Sequence, residues 1–214
     1  VTDEWLERVV QLIHLSQYHT GTMIEQRAKR YGDKTVFNMI RGNDLHTLSY
    51  SDLWSKIQMT GKALSVLDRP EKPSVIGLLT YNQLNGVLVD LACLSFAIRI
   101  IPIPLNSTSE HLSFILKQSE VTHLFVGGKT AIRLWNEVHH NYDILVIALN
   151  DSSLIQGKVM DWEIFFENRD RSQNFDVDQR LSCVSMDRTQ TIMYTSGSTA
   201  NPKGITFNQS NIIS

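Results

Sequence analysis

The pattern of apolar and polar positions first predicts helices and a hairpin. Apolar residues recur at helical spacing from Trp5 to Ile13, and a second helix is predicted over residues 22–31. Two apolar runs joined by the turn "GND" predict a β-hairpin over residues 34–50. An apolar stripe over residues 51–67 predicts a third helix with Ser51 as its N-cap.

From residue 74 the pattern changes to strands that alternate with helices. Residues 74–80 form a short, continuous apolar run, which is typical of a strand buried on both faces. The alternation predicts an α/β fold, a layered and mostly parallel sheet flanked by helices. The predicted strands are 74–80, 99–104, 122–127, 143–149 and 189–196, and the predicted helices are 82–97, 109–120, 129–140 and one that begins near residue 208.

Three stretches depart from this alternation. Residues 150–188 are polar and mixed, and we expect a surface connection with one short helix at the apolar patch 162–166. Pro102 and Pro104 predict a strand that leaves the sheet edge, because proline cannot serve a central ladder. The last helix, capped by Asn208 or Ser210, stops within its first turn, so we expect the chain to be a piece of a longer protein.

Composition narrows the class of protein. The chain has 214 residues, 42% of them hydrophobic, and 20 basic against 22 acidic residues give a net charge of −2. This balance argues against a general nucleic-acid-binding surface. The most apolar stretch, residues 87–103, is interrupted by Asp90 and Arg99, so no membrane span is expected. Cys93 and Cys183 form no C-x-x-C pair, which predicts two free thiols and a cytoplasmic location.

One stretch, "TSGSTANPKG", has an unusual inventory of polar groups. It follows a predicted strand and combines a flexible glycine, Gly197, with four hydroxyl side chains and the positive charge of Lys203. These groups suit a polyphosphate, whose oxygens accept hydrogen bonds. A Ser/Thr-rich turn between two strands has the same composition. The residues alone leave both interpretations open.

Neither this stretch nor a second glycine-rich turn is a Walker A loop. Counting from Gly197, Pro202 stands where the second glycine belongs and has no N–H to offer. The stretch "FVGGKT", residues 125–130, has His123 where the first glycine would fall. We interpret it as a strand-to-helix turn in which Gly127 and Gly128 supply flexibility.

The other polar residues give no pattern typical of a metal site or a catalytic site. The seven histidines lack metal-ligand spacing and are expected at surfaces or edges. No G-x-S-x-G elbow is present. Asp90 lies in an apolar helix, where a carboxylate is usually the partner of a nearby donor or a residue of the helix surface.

The residues from Tyr194 to Gly204 resemble the phosphate-loop signature of the adenylate-forming (AMP-binding) enzymes, usually written Y-T-S-G-[ST]-T-G-x-P-K-G. Ten of its eleven positions fit. Two weaker blocks, residues 48–57 and 90–120, resemble the first and second core motifs of that superfamily in order and spacing. Within the second block, the segments "DLACL" and "FILKQSE" are most similar to the long-chain fatty acyl-CoA synthetases. The resemblance runs from about Thr22 to the last residue.

The resemblance implies a two-step reaction. A carboxylic acid attacks the α-phosphate of Mg-ATP to give an acyl-adenylate and pyrophosphate, and a thiol, often of coenzyme A, then takes the acyl group. It also implies that the loop closes on the β- and γ-phosphates, by charge stabilisation and positioning. The residues implied to contact the ATP phosphates are Thr195, Ser196, Gly197, Ser198, Thr199, Ala200, Lys203 and Gly204.

Residues 1–214 are then expected to be a partial N-terminal AMP-binding domain. ATP, Mg²⁺ and coenzyme A would serve the full-length enzyme, with a fatty or other carboxylic acid as substrate. The resemblance places no catalytic residue or metal ligand in this chain, so we expect the fragment alone to be inactive and capable of self-association through exposed apolar surface.

Two alternatives stay open. The acceptor could be a carrier-protein thiol, since Ser198 suits peptide-synthetase signatures. The chain could also be a degenerate, non-catalytic relative, because Ala200 replaces the usual glycine. If that position needs a positive φ, alanine costs about 1 kcal/mol.

Overall fold

Helices and strands alternate along the chain in the computed structural model, which describes residues 3–41, 44–68, 73–172, 174–195 and 201–213, the side chains of residues 3 and 41 excepted. The helices are α1 (Asp3–Leu15), α2 (Thr20–Tyr31), α3 (Tyr50–Ser65), α4 (Leu84–Ser95), α5 (Ser109–Gln118), α6 (Lys129–Val138), α7 (Trp162–Glu167), α8 (Val177–Ser182) and α9 (Gln209–Ile213), with 3-10 turns at His139–Asn141 and Asn168–Arg171. The strands are β1 (Thr35–Arg41), β2 (Asp44–Ser49), β3 (Val75–Thr80), β4 (Arg99–Pro102), β5 (His123–Gly127), β6 (Leu145–Ala148), β7 (Lys158–Asp161), β8 (Thr189–Thr195) and β9 (Lys203–Asn208).

Seven of the described strands form one sheet in the order β7-β6-β5-β3-β4-β8-β9. Every pair is parallel except β8 with β9, and β1 and β2 form a separate antiparallel hairpin. The predicted α/β fold with a mostly parallel sheet is confirmed.

Helices cover both faces of the sheet. One apolar cluster joins α2, α3, α4 and α7 to the face that carries Ile76, Ile100 and Phe125. The other joins α5 and α6 to the face that carries Ile101 and Leu124. Consecutive residues of one strand thus enter different cores, which explains why β3 and β5 are apolar at nearly every position.

The expectation for β4 is wrong, because β4 lies inside the sheet and not at its edge. It pairs with β3 over four residues and with β8 at Ile100 opposite Thr191. The Ile103 N–H donates to the Leu78 carbonyl at 2.9 Å, so alternating N–H groups face β3. The backbone nitrogen of Pro102 faces the other way, towards β8. It lies beyond Ile100, the residue at which β4 pairs with β8. A proline is tolerated there because it removes no bond of the β3–β4 ladder.

Residues 150–188 hold more structure than the single short helix expected. They contain β7, which pairs with β6 at the sheet edge, together with α7 and α8. Phe165 is fully buried and its ring packs edge-on against Phe125, with centroids 5.2 Å apart. The segment therefore completes one core face. Strand β9 is a further element that the sequence pattern did not predict.

Two helix caps can be compared with their predictions. The N-cap of α3 is Ser49, not Ser51: its backbone is extended and its hydroxyl accepts from the Asp52 N–H at 3.1 Å. At α9 the Asn208 carboxamide oxygen accepts from the Asn211 N–H at 2.9 Å, so Asn208 is the cap of the two candidates.

Candidate functional site

The carboxyl ends of the parallel strands meet at one edge of the sheet. Strands β3, β4, β5 and β8 finish there, at Thr80, Pro102, Gly127 and Thr195. Open α/β sheets bind ligands outside this edge. The stretch with the phosphate-loop signature starts at this edge, where β8 ends.

Strands β8 and β9 carry the stretch as an antiparallel hairpin. Thr195 pairs with Lys203, and Tyr194 pairs with Gly204, so both ends of the loop lie side by side. Of the eight predicted contact residues, the structure describes Thr195, Lys203 and Gly204. The other five, residues 196–200, lie outside the described residues. Two strands flanking a loop agree with a bare turn as well as with a phosphate loop.

A cavity of about 280 Å³ opens beside Thr195, and the described residues that line it bear no carboxylate. Thr195 and Lys203 are exposed, and Lys203 makes no ion pair with any residue the structure describes. A hydroxyl and an unpaired ammonium group suit an anion. The lining residues are Pro104, Asn106, Ser107, His111, Ile115, Tyr194, Thr195 and Pro202.

Tyr194 fixes the end of β8 to the end of α5. Its ring is buried, and its hydroxyl donates to the Gln118 carboxamide oxygen at 2.8 Å. With its single proton committed, the phenol accepts from the Ser119 hydroxyl at 2.7 Å. Both partners lie at the end of α5, so the residue that precedes Thr195 is held to a helix of its own core cluster.

The cavity residues after β4 were missed by sequence reasoning. Asn106, Ser107 and His111 reach the hairpin because β4 is the parallel neighbour of β8. Their sequence signal is only a polar run after a strand. Knowing that β4 and β8 are adjacent is what would have found them.

The second glycine-rich turn, at Gly127 and Gly128, is closed. Gly128 has φ +92°, and a Cβ there would lie 2.6 Å from the Tyr81 ring. A Cβ on Gly127 would lie 2.0 Å from the Gln83 amide nitrogen. The interpretation as a strand-to-helix turn is confirmed, although Gly127 serves close packing more than flexibility.

An amide pair fills the space above this turn. The Gln83 amide nitrogen donates to the Asn150 carboxamide oxygen at 3.1 Å, and Asn150 donates back at 2.9 Å. Gln83 also donates to the Thr80 hydroxyl at 2.6 Å. The turn therefore holds side chains of this protein where a phosphate would need free N–H groups.

Asp90 is half-buried on α4. Of the two interpretations made from the sequence, a nearby donor partner is not found, because no hydrogen bond or ion pair joins Asp90 to another described residue. It lines a small cavity with Thr80 and Gln83. Burial raises the pKa of its carboxyl group to about 6.

Two histidines are buried, contrary to the expectation that all seven lie at surfaces or edges. His123 is 9% exposed, and its Nδ1 lies 2.9 Å from the Thr122 hydroxyl. His19 is 2% exposed and caps α2: its Nδ1 accepts from the Gly21 N–H at 3.1 Å. Its Nε2 then carries the proton and donates to the Leu181 carbonyl at 3.1 Å. Burial lowers the pKa of His19.

The two cysteines are free thiols, as predicted. Cys93 is buried and Cys183 is exposed. Burial raises the pKa of the Cys93 thiol, first by desolvation and then by the nearby carboxylates of Asp90 and Asp68. Within the described ranges there is no group of three His, Cys, Asp or Glu side chains able to hold a metal ion. None of the described helices is both long and apolar enough to cross a membrane.

The comparisons with known proteins agree with this architecture. The sequence profile of the family described as AMP-binding enzyme matches residues 24–214. The chain therefore belongs to the AMP-binding enzyme family, the adenylate-forming enzymes, and it has the fold of their N-terminal domains.

Among curated relatives, the long-chain-fatty-acid–CoA ligase ACSBG2 of Xenopus laevis is 19% identical over 89% of this chain and 26% of its own length. Fatty acyl-CoA synthetase A of Dictyostelium discoideum is 25% identical over 80% of this chain and 26% of its own length. The chain thus spans about a quarter of the length of these relatives.

Solved structures show the same fold. A Mycobacterium tuberculosis fatty acyl CoA synthetase superposes with a TM-score of 0.67 at 19% identity, over 89% of this chain and 34% of that one. The anthranilate CoA ligase AuaEII, solved in complex with anthranoyl-AMP, gives a TM-score of 0.67 at 18% identity, over 90% of this chain and 35% of that one.

Proposed function

We propose that the β8–β9 hairpin presents the phosphate loop of an AMP-forming acid–thiol ligase, and that this chain is the first part of that ligase's N-terminal domain. One observation carries the proposal. The signature stretch starts at the carboxyl edge of the sheet, with Thr195 directly opposite Lys203. A cavity without carboxylates lies beside it.

In the proposed reaction, a carboxylate oxygen attacks the α-phosphorus of ATP, and the bond to the β-phosphate breaks. Pyrophosphate departs with the bonding electrons. The Lys203 ammonium and the Thr195 hydroxyl bind the departing phosphates, together with residues 196–200 and Gly204 of the signature. Their role is positioning and charge stabilisation, since donors placed in advance need no reorganisation when charge develops. We assign no Mg²⁺ ligand to the described residues.

For the acid we propose a fatty acid, and for the acceptor the thiol of coenzyme A. Two of the similar curated proteins are named as long-chain-fatty-acid–CoA ligase and fatty acyl-CoA synthetase, which supports both assignments. In the second step the thiol sulfur attacks the acyl carbonyl, and AMP leaves. The two free thiols support a reducing, cytoplasmic setting.

The test separates loop binding from catalysis. The 214-residue chain is titrated with pyrophosphate by calorimetry and assayed for ATP–pyrophosphate exchange with a panel of fatty acids. We expect saturable binding of pyrophosphate but no exchange, because the chain covers about a quarter of its relatives. Absence of pyrophosphate binding would refute the phosphate loop. Measurable exchange would refute the inactivity of the fragment.

We also propose that the chain self-associates. Leu12 and Leu15 of α1 are 64% and 82% exposed, and Trp5 is 56% exposed. Contiguous apolar surface favours association. Sedimentation velocity over a hundredfold concentration range is expected to show reversible dimers that Leu12→Gln with Leu15→Gln abolishes. A concentration-independent monomer would contradict this.

A further inference from the structure

The hairpin that carries the loop has few pairings with the rest of the sheet. Strand β8 joins β4 at one register pair, Ile100 with Thr191, whereas β3 joins β5 at five. In the described sheet β9 has β8 as its only neighbour. Side-chain contacts outside the strand ladder therefore help to set the orientation of the hairpin.

The entry of the hairpin is held by Gln190. This residue is 4% exposed, and its amide nitrogen donates to the Ile98 carbonyl at 2.6 Å and to the Cys93 carbonyl at 3.1 Å. Both carbonyls belong to the end of α4 and the turn after it, where Ala97 has φ +57°. The Cys93 carbonyl also accepts from the Ile98 N–H at 3.0 Å, so Gln190 adds a second, buried donor at this helix end.

The exit of the hairpin is held by Gln209, which is fully buried. Its amide nitrogen donates to the Leu94 carbonyl at 2.7 Å, again at the end of α4. Its carboxamide oxygen accepts from the N–H and the hydroxyl of Thr20 at 3.1 and 2.8 Å. One side chain thus satisfies the last turn of α4 and the first turn of α2 together.

A third contact at the base of the hairpin has a different effect. The Ser210 N–H donates to the Met186 carbonyl at 3.1 Å. Met186 precedes β8, so this bond closes the base of the hairpin on its own chain. Gln190 and Gln209 differ from Ser210 in this respect, because both of their side chains reach the end of α4.

We infer that Gln190 and Gln209 are positioning residues that fix the loop-bearing hairpin against the last turn of α4. The consequence for ligand binding rests on the proposed function. With both ends held to one helix turn, Thr195 and Lys203 keep a set position relative to the carboxyl edge of the sheet. Loss of either amide lets the hairpin move without changing any residue of the loop.

The test compares Gln209→Met with Thr60→Val in the 214-residue chain. Thr60 is also fully buried, and its hydroxyl donates to the Lys56 carbonyl within α3, so the control removes a buried hydrogen bond in another element. Hydrogen exchange measured by NMR reports on the hairpin directly. Calorimetry with pyrophosphate reports on the loop.

We expect Gln209→Met to speed exchange of β8 and β9 amides about tenfold relative to those of β3 and β5, and to weaken pyrophosphate binding about tenfold. Thr60→Val is expected to do neither. If Gln209→Met does not fold, Gln209→Glu replaces it, because Glu keeps the acceptor for Thr20 and loses the donor to Leu94.

The outcomes separate this inference from the proposed function. Unchanged exchange in β8 and β9 overturns the inference. Faster exchange with unchanged pyrophosphate affinity overturns the link between the hairpin and the loop. If the unaltered chain binds no pyrophosphate but the exchange result holds, the proposed function fails while the anchoring of the hairpin stands.

Discussion

Two regions with a glycine and a lysine lie at the same edge of the sheet, the turn at Gly127 and Gly128 and the β8–β9 hairpin that flanks the signature stretch, and their described residues differ. At Gly127 and Gly128 the Gln83–Asn150 amide pair and the Tyr81 ring occupy the space above the backbone. At the end of β8, Thr195 lines a cavity of about 280 Å³, and Lys203, its partner on β9, is exposed and makes no ion pair with any described residue. Glycine, lysine and hydroxyl groups therefore do not define an anion site unless the space above them is free. We call the region at Gly127 and Gly128 the closed turn.

The largest expected effect concerns Asp90, beside the closed turn. Its pKa is raised from 3.8 to about 6, so the folded protein holds this proton more tightly than the unfolded chain. The contribution of Asp90 to stability is thus most favourable at low pH and falls as the pH rises from about 4 to about 6. Asp90→Asn is expected to stabilise the protein by up to about 3 kcal/mol at pH 8 and by nothing near pH 4.

Urea unfolding at both pH values measures this difference, with the exposed Glu110→Gln as control. An equal gain at pH 4 and pH 8 would show that the carboxylate charge is not the cause.

The second prediction compares Lys203 in the hairpin with Lys129 at the closed turn. Lys203→Ala is expected to weaken pyrophosphate binding about ten- to a hundredfold, since a hydrogen bond from a charged donor is worth about 1.5–3 kcal/mol. Lys129→Ala, at the closed turn, is expected to leave binding unchanged. Calorimetric titration measures both, and equal losses would remove the distinction between the two regions.

The third prediction probes the packing of the closed turn. Gly127→Ala places a Cβ against Gln83 and Thr80 and is expected to destabilise the fold by about 1–3 kcal/mol. Gly204→Ala, in the hairpin, places a Cβ 3.0 Å from Ile192 and 3.1 Å from the Tyr194 ring, longer approaches than those at Gly127, and is expected to cost less than Gly127→Ala. Thermal unfolding of the two variants ranks them, and the reverse order would contradict a filled turn.

The smallest effect concerns His19, whose neighbour Thr20 binds Gln209 below the hairpin. The pKa of His19 is lowered in the folded protein, so as the pH falls the unfolded chain binds a proton at this residue before the folded protein does. The contribution of His19 to stability therefore decreases as the pH falls below about 6.5. The slope is opposite to that of Asp90. His19→Asn retains an N-cap and removes the titration. Its stability between pH 7 and pH 5 is expected to vary less than that of the unaltered chain, and an identical pH profile would exclude His19 as the source.

Much of the fold was predictable because its strands and helices have strong local signals. β3 and β5 are continuous apolar runs, and helices such as α3 show a clear apolar stripe. The elements that were missed have weak patterns: β7 is four residues long, and β9 is exposed at four of its six positions. Such strands form because a neighbouring strand has backbone N–H and C=O groups that need partners. The sequence of the strand itself does not show which strand will lie beside it.

The candidate site divides in the same way. The signature from Tyr194 to Gly204 was evident from residue order, and so was the family. The role of the eight loop residues stays a prediction. The contribution of Asn106 and His111 was not evident, since it depends on β4 lying beside β8.

By itself the sequence determined the α/β alternation, the free thiols and the family signature, because these depend on residue type and short-range order. Only the tertiary structure decided that the turn at Gly127 and Gly128 is closed, which histidines are buried and how Gln190 and Gln209 hold the hairpin. Those properties depend on contacts between residues far apart in the chain, such as Thr20 with Gln209, and on the desolvation that packing produces.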